Sequence, residues 1–255
     1  MEPSLTWLDL TARDRDKMRR VIDLFSEQGT VDEMGLGTIR DTLSDTLFPG
    51  TSVIQTRLRY FLFIPWLYQR LENRRTSSSE ITAAIRKAEL DLVGALLNSE
   101  DTDGIIGSQA RNTLTRIPSE IYWAGLVRWG IFQHPQSRGW YHANFDGMRK
   151  GQEHFNPSDD PGVIWTRQPA WHPRIPPHPE GVPWEVSLNL TADEAEFLRG
   201  RIEERCSGSL LAWLAQEGSS ELAEHFWEEP VALRASGALD TAIELARRFS
   251  LHVEG

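Results

Sequence analysis

Residues 36–71 read LGTIRDTLSDTLFPGTSVIQTRLRYFLFIPWLYQRL, and this stretch decides the fold. Before residue 48, apolar side chains recur at every fourth position, which predicts a short amphipathic helix. Pro49 and Gly50 mark its end, because these residues punctuate helices. We expect a second helix from Thr51 onward, since a threonine hydroxyl can accept a hydrogen bond from the first free amides of a helix.

The second half of this predicted helix is apolar on every side from Tyr60 to Tyr68. A helix that is hydrophobic all round is buried, either in protein or in lipid. The apolar run is much shorter than the roughly 20 residues that cross a bilayer. We therefore expect residues 60–68 to form a helix of the protein core.

The two arginines of this stretch are predicted to differ in their surroundings. On a helix that starts at Thr51, Arg59 falls with the polar side chains and Arg57 falls on the apolar side. A buried charge needs a partner, and Asp41 and Asp45 are the nearest candidates. We favour an internal ion pair for Arg57 over a role in ligand binding.

A helix, a tight turn and a second helix with a polar start also form the outline of a helix-turn-helix, here at residues 36–72. In that motif the second helix presents its first side chains to base edges in the major groove, and glutamine and arginine suit adenine and guanine edges. A plain pair of antiparallel helices with a solvated face is the alternative. The candidate nucleic-acid contacts are Arg40, Ser52, Gln55, Thr56 and Arg59.

Helical periodicity with capping residues continues through much of the chain, so we predict a mainly α fold, a helical bundle with little or no sheet. A short strand near Trp184–Leu190 is possible because apolar and polar residues alternate there. Further helices are predicted at residues 11–28, 77–98, from 118 onward, 191–205, 210–216, 220–227 and 240–252.

The middle of the chain changes character, because eight of the 14 prolines fall between Pro157 and Pro183, mixed with tryptophans. Proline removes a backbone donor and fits poorly into regular ladders. We expect an irregular segment whose tryptophans anchor it to the helices. The predicted organisation is a helical core at 1–133, this irregular segment at 134–190 and an acidic helical part at 191–255.

The net charge of −10 is unevenly distributed. Residues 1–150 carry 19 basic and 19 acidic side chains, whereas residues 151–255 carry 8 and 18. Phosphate contacts dominate nucleic-acid affinity, so a DNA site is expected in the neutral first part. The single cysteine excludes an internal disulfide and is consistent with a cytoplasmic protein. No signal peptide or membrane span is predicted.

No catalytic signature is present in the sequence. The spacing of the seven histidines matches no trusted zinc pattern, and we find no nucleophile elbow and no paired carboxylates that indicate acid–base chemistry. We therefore predict no catalytic, metal-binding or cofactor-binding residue, and a non-enzymatic protein is favoured over an enzyme.

The segments GLGTIRDTLSDTLFPGTSVIQTRLRYFLFIPW, DGIIG, IPSEIYWAGLVRWGIF, LTADEAEFLRGRI and LARRFS occur in that order. In this respect the chain resembles an uncharacterised bacterial and archaeal family known only as a domain of unknown function. Its members usually continue past the position of Leu251, so the resemblance implies a shortened member or a fragment. They are often encoded among restriction and antiviral defence genes, which implies DNA-processing partners but identifies no site.

Two functions follow as hypotheses. The first is a DNA-binding or partner-binding component of a bacterial defence system that contacts DNA through the face from Thr51 to Arg59. The second is an adaptor that docks a helicase or nuclease through its Trp/Pro-rich segment and acidic C-terminal part, without touching nucleic acid itself.

Overall fold

The computed structural model describes residues 35–108, 115–153, 169–179, 186–218 and 223–254. The helix predicted at 11–28 lies outside these ranges. The chain divides into two compact units, Met1–Thr42 and Leu43–Gly255. The division into three parts at residues 133 and 190 stays a prediction.

The described residues are mainly helical, which confirms the predicted fold class. They contain no strand, only one isolated antiparallel bridge between Phe132 and Trp171. A short 3₁₀ helix spans Ala232–Arg234. The α-helices are α1 (Leu36–Leu47), α2 (Tyr60–Asn73), α3 (Ile81–Leu96), α4 (Pro118–Arg128), α5 (Arg138–Ala143), α6 (Phe145–Glu153), α7 (Ala192–Arg205), α8 (Leu210–Glu217) and α9 (Ala238–Glu254).

Helix α2 is the centre of the larger core, as its all-round apolar sequence predicts. Every side chain from Tyr60 to Tyr68 is buried. The ring of Phe61 stacks on that of Trp129 with centroids 3.9 Å apart. Helix α2 ends with Arg75 in the left-handed conformation, where the amide of Thr76 donates to the carbonyl of Leu71. This ending turns the chain back so that α3 packs beside α2.

The Pro/Trp-rich segment is anchored to the core where it is described. Trp171 is buried, and its indole nitrogen donates to the hydroxyl of Tyr141 at 3.1 Å. The indole of Trp66 on α2 donates to the carbonyl of Pro176 at 2.8 Å. The predicted anchoring role is therefore confirmed for Trp171. Trp165 and Trp184 lie outside the described residues.

A second, smaller core of the unit Leu43–Gly255 joins the last turn of α1 to α8 and α9. Leu47 packs with Leu210, Ala232, Ile243 and Ala246. The capping box predicted at the start of α7 is present, since Thr191 and Glu194 exchange both bonds. Two predictions are wrong over their described parts, because residues 186–190 form no strand and residues 223–227 form no helix.

The second helix of the predicted hairpin begins nine residues later than expected, at Tyr60 and not at Thr51. Residues 51–59 form turns and irregular structure instead of a helix. The backbone amides of two of these residues form tertiary hydrogen bonds. The hydroxyl of Tyr122 accepts hydrogen bonds from the amides of Thr56 and Arg57 at 2.9 and 3.1 Å. It also donates to the carbonyl of Arg57. The helix-turn-helix outline at 36–72 is therefore wrong, since its recognition helix would consist of these turns.

Candidate functional site

The arginine expected at the polar front of the hairpin, Arg59, is in fact buried. Its side chain is 6% exposed, and Nη2 lies 2.7 Å from Oε1 of Glu194, which is 4% exposed. Nη1 donates to the carbonyl of Ser187 at 2.8 Å. The prediction that Arg59 lies on an exposed polar face is therefore wrong. Because both charges are buried and paired, Arg59 joins α2 to α7 and does not present a donor to a base edge.

The other candidates on this segment have different surroundings. Ser52 is exposed. Gln55 is half-buried, with its amide nitrogen 3.3 Å from the carbonyl oxygen of Gly50. The hydroxyl of Thr56 donates to the carbonyl of Gly104 at 2.6 Å. The structure brings these three side chains onto one turn-rich segment and not onto a helix.

Two further predicted placements concern arginines and their acidic partners. Arg40 lies on α1 in the unit Met1–Thr42, where it is exposed and paired with Asp41 at 2.8 Å. Arg57 forms an ion pair, as expected, but with Asp101 at 3.0 Å and Asp103 at 3.4 Å. The pair is not internal, because the side chain of Arg57 is 30% exposed and that of Asp103 is 94% exposed. The predicted partners were wrong, since the loop after α3 supplies these carboxylates from more than 40 residues away.

Two clefts in the unit Leu43–Gly255 collect positive charge. The α2–α3 groove has a volume of about 320 Å³ and is lined by the small side chains of α3 and by three cations with one acid. The small side chains leave room between the helices. Its charged lining residues are Arg70, Arg74, Lys87 and Asp91.

The α4–α7 cleft is slightly larger, about 380 Å³. It lies where the chain leaves α4 at Gly130, which has a φ of +64°. Positive φ favours glycine, because a side chain there is strained. The charged and polar side chains that line the cleft are Arg128, Gln133, His134, His172, Arg201, Glu204 and Arg205.

Arg201 is the buried arginine of this cleft, since its side chain is only 6% exposed and is held from several sides, whereas Arg128 and Arg205 are exposed. Its Nε donates to the carbonyl of Trp129 at 3.1 Å. Its Nη1 pairs with Glu204 at 2.6 Å and lies 3.3 Å from Nε2 of His172. Burial, followed by the charges of Arg201 and Arg174, lowers the pKa of His172. His172 is therefore neutral at pH 7 and leaves the positive charge to the arginines.

A separate set of buried polar groups lines neither cleft. Burial raises the pKa of Glu89 to about 8, even though the amide and hydroxyl of Ser119 both donate to its carboxyl group. The hydroxyl of Tyr68 lies 2.6 Å from Nε2 of His142. Burial, followed by the charge of Arg138, lowers the pKa of His142 to about 4. These bonds join α2, α3, α4 and α5 inside the core.

Sequence reasoning missed the cationic residues of both clefts. Arg70 and Arg74 are four residues apart, as are Arg201 and Arg205, so each pair shares one helix face. This spacing was the available signal. The approach of Arg128 to the other pair depends on the packing of α4 near α7, which no local pattern shows.

The described residues contain no helix long and apolar enough to span a membrane, and no group of three or more side chains suited to hold a metal ion. A search of curated proteins and of solved structures gives no match. A family model described as a family of unknown function, DUF6361, matches residues 3–255. Because the match covers almost the whole sequence, the chain belongs to this family of unknown function.

Proposed function

We propose that the protein is a DNA-binding module that contacts the phosphate backbone through the α2–α3 groove. The observation that carries the proposal is the concentration of cations there in a chain whose net charge is −10. Neutralisation of phosphates by lysine and arginine provides most of the affinity of non-specific DNA binding. A groove with three cations and one acid suits this contact.

The charge balance of the groove supports the proposal. Arg74 and Lys87 are exposed and form no ion pair with any residue that the structure describes. Glu89 on α3 adds little negative charge, because it is buried with a pKa raised to about 8. Burial also raises the pKa of Glu72, whose carboxylate accepts a hydrogen bond from Tyr141. The surface of α2 and α3 is therefore more positive than its sequence suggests.

The site also lies in the part of the chain where composition permits it, since residues 1–150 are neutral and the acidic excess is in residues 151–255. The resemblance to a family encoded among antiviral defence genes motivates the choice of DNA as the polyanion. The proposed role is thus that of a DNA-contacting component of a bacterial defence system, with a DNA-processing helicase or nuclease as its partner.

The test is the affinity for a short fluorescent DNA duplex, measured by anisotropy at low salt. The double variant Arg74→Gln/Lys87→Gln should bind on the order of tenfold more weakly, because each removed cation loses a phosphate contact. The control Arg199→Gln/Arg247→Gln removes the same charge from exposed positions on α7 and α9 and should bind as the wild type does. Equal losses in both variants would show a net-charge effect and contradict the groove as the site.

The second candidate function is docking of a partner protein without contact to DNA. The observation that favours it is the exposure of apolar side chains on the turns before α2, where Val53 is fully exposed and Ile54 and Leu58 are 41% and 47% exposed. Docking needs no phosphate contact. Absence of DNA binding by the wild type at low salt would therefore favour docking over the first function.

A further inference from the structure

We propose that the α4–α7 cleft binds a phosphate monoester. This site is separate from the α2–α3 groove, so it does not depend on the proposed DNA contact. The proposal rests on the arrangement of three arginines, on the charge that they leave unbalanced and on the size of the cleft.

The first observation is the close approach of two guanidinium groups. A Cβ atom placed on Gly130 would lie 3.1 Å from Nη2 of Arg201 and 3.3 Å from Nε of Arg205. Both guanidinium groups therefore lie beside the same glycine, at the floor of the cleft. Like charges repel at this range, and a bound anion between them relieves that repulsion.

The second observation is that the donors facing the cleft are available. Glu204, His172 and the carbonyl of Trp129 contact Nη1 and Nε of Arg201, whereas its Nη2 donates to no residue that the structure describes. Within the same described ranges, Arg128 and Arg205 form no ion pair. Arg201 is thus held in place through Nε and Nη1, with its Nη2 beside Gly130.

The third observation is the charge balance. The cleft is lined by three guanidinium groups and the single carboxylate of Glu204, and His172 is held neutral. The lining therefore carries an excess of about two positive charges at pH 7. A phosphate monoester carries about −1.5 to −2 charges at that pH, so it matches the excess more closely than a carboxylate does. Guanidinium groups also suit phosphate oxygens geometrically, because they donate two parallel hydrogen bonds.

The fourth observation is the volume of the cleft. About 380 Å³ falls in the range of small-molecule sites. A DNA duplex does not enter such a cleft. The phosphate monoester can thus belong to a free nucleotide or to the phosphorylated end of a nucleic-acid strand, and both sources present the same group to the arginines.

Calorimetric titration of the full chain tests the proposal with paired probes. AMP is compared with adenosine, and a single strand with a 5′ phosphate is compared with the same strand ending in a 5′ hydroxyl. We expect the phosphorylated member of at least one pair to bind and its partner to bind at least about tenfold more weakly, because the arginines contact only the phosphate. The pair that binds identifies the source of the phosphate.

The variant Arg128→Gln/Arg205→Gln should weaken this binding by at least about tenfold. Both side chains are exposed, so the fold should be retained, and an unchanged circular dichroism spectrum checks this. The charge-matched control Arg199→Gln/Arg247→Gln should bind as the wild type does. Failure of every phosphorylated probe to bind, or equal affinity in the cleft variant and the wild type, would overturn the proposal.

Discussion

At the scale of single residues, the Arg59–Glu194 pair is a buried electrostatic link between the start of α2 and α7. Both side chains are almost fully buried, and their oxygen and nitrogen atoms are 2.7 Å apart. Removing one member of a buried pair leaves an uncompensated charge, which costs about 3–5 kcal/mol. Arg59→Met should therefore lower the free energy of unfolding by about that amount, as measured by urea denaturation.

The companion variant distinguishes the cost of the buried charge from the loss of packing. Adding Glu194→Gln to Arg59→Met removes the second charge, so we expect part of the lost stability to return. A single variant as stable as the wild type would show that the pair is exposed in solution. That result would also restore Arg59 as a candidate for DNA contact.

The raised pKa of Glu89 should make the stability of the protein depend on pH. Its pKa is raised to about 8 in the folded chain by burial, against an ordinary value of 4.5. Between these values the folded state holds a proton that the unfolded state releases, so this contribution is present below pH 4.5 and is lost as the pH rises toward 8. Glu89→Gln should flatten the decline of the unfolding free energy over this range, as measured by urea denaturation at several pH values.

His142 makes the unfolding free energy depend on pH in the opposite direction, at lower pH. Its pKa is lowered to about 4 by burial and by the charge of Arg138, so the unfolded state binds a proton first as the pH falls below 6.5. This contribution to stability is lost toward pH 4, and Glu89→Gln should leave it unchanged. A variant whose decline between pH 5 and 8 equals that of the wild type would contradict the assignment to Glu89.

At the scale of secondary-structure elements, the close contact between the Pro49-Gly50 turn and α4 depends on a missing side chain. A Cβ atom on Gly125 would lie 2.5 Å from the carbonyl oxygen of Gly50 and 2.6 Å from Cε1 of Phe61. Gly125→Ala should therefore destabilise the protein by about 3 kcal/mol or more, since backbone and a packed ring must move. Thermal unfolding followed by circular dichroism measures this loss.

Gly94 on α3 provides the matched control. Nothing lies within 4 Å of a Cβ atom placed there, and the residue is exposed. Alanine is favoured over glycine in helices by about 1 kcal/mol, so Gly94→Ala should raise the unfolding temperature. If Gly125→Ala also raised it, the close packing of the turn on α4 would be wrong.

The same elements show which features the sequence predicts. Helices α1, α3, α4, α7, α8 and α9 were predicted because apolar patterning and the residues that start and end helices are local signals. The segment from Thr51 to Arg59 was not, because Tyr122 engages its amides from a position more than 60 residues away. Arg59 was misplaced for the same reason, since a helical wheel assigns no face to a residue outside the helix.

At the scale of the whole molecule, an acidic chain contains two clefts that are lined mainly by cationic side chains. A net charge of −10 is unfavourable for nucleic-acid binding if it is spread over the whole chain. Because residues 1–150 are neutral, they are the part in which a DNA site was expected. The groove between α2 and α3 lies in that region. The α4–α7 cleft combines residues from both parts, so neither composition nor spacing predicts it.

The salt dependence of DNA binding tests the central claim most directly. The logarithm of the binding constant falls with the logarithm of salt concentration by about 0.9 for each phosphate that the protein neutralises. Arg74→Gln/Lys87→Gln should therefore reduce the slope by about two, whereas Arg199→Gln/Arg247→Gln should leave it as in the wild type. A slope that is the same for the groove variant and the wild type would contradict the assignment of DNA binding to the α2–α3 groove.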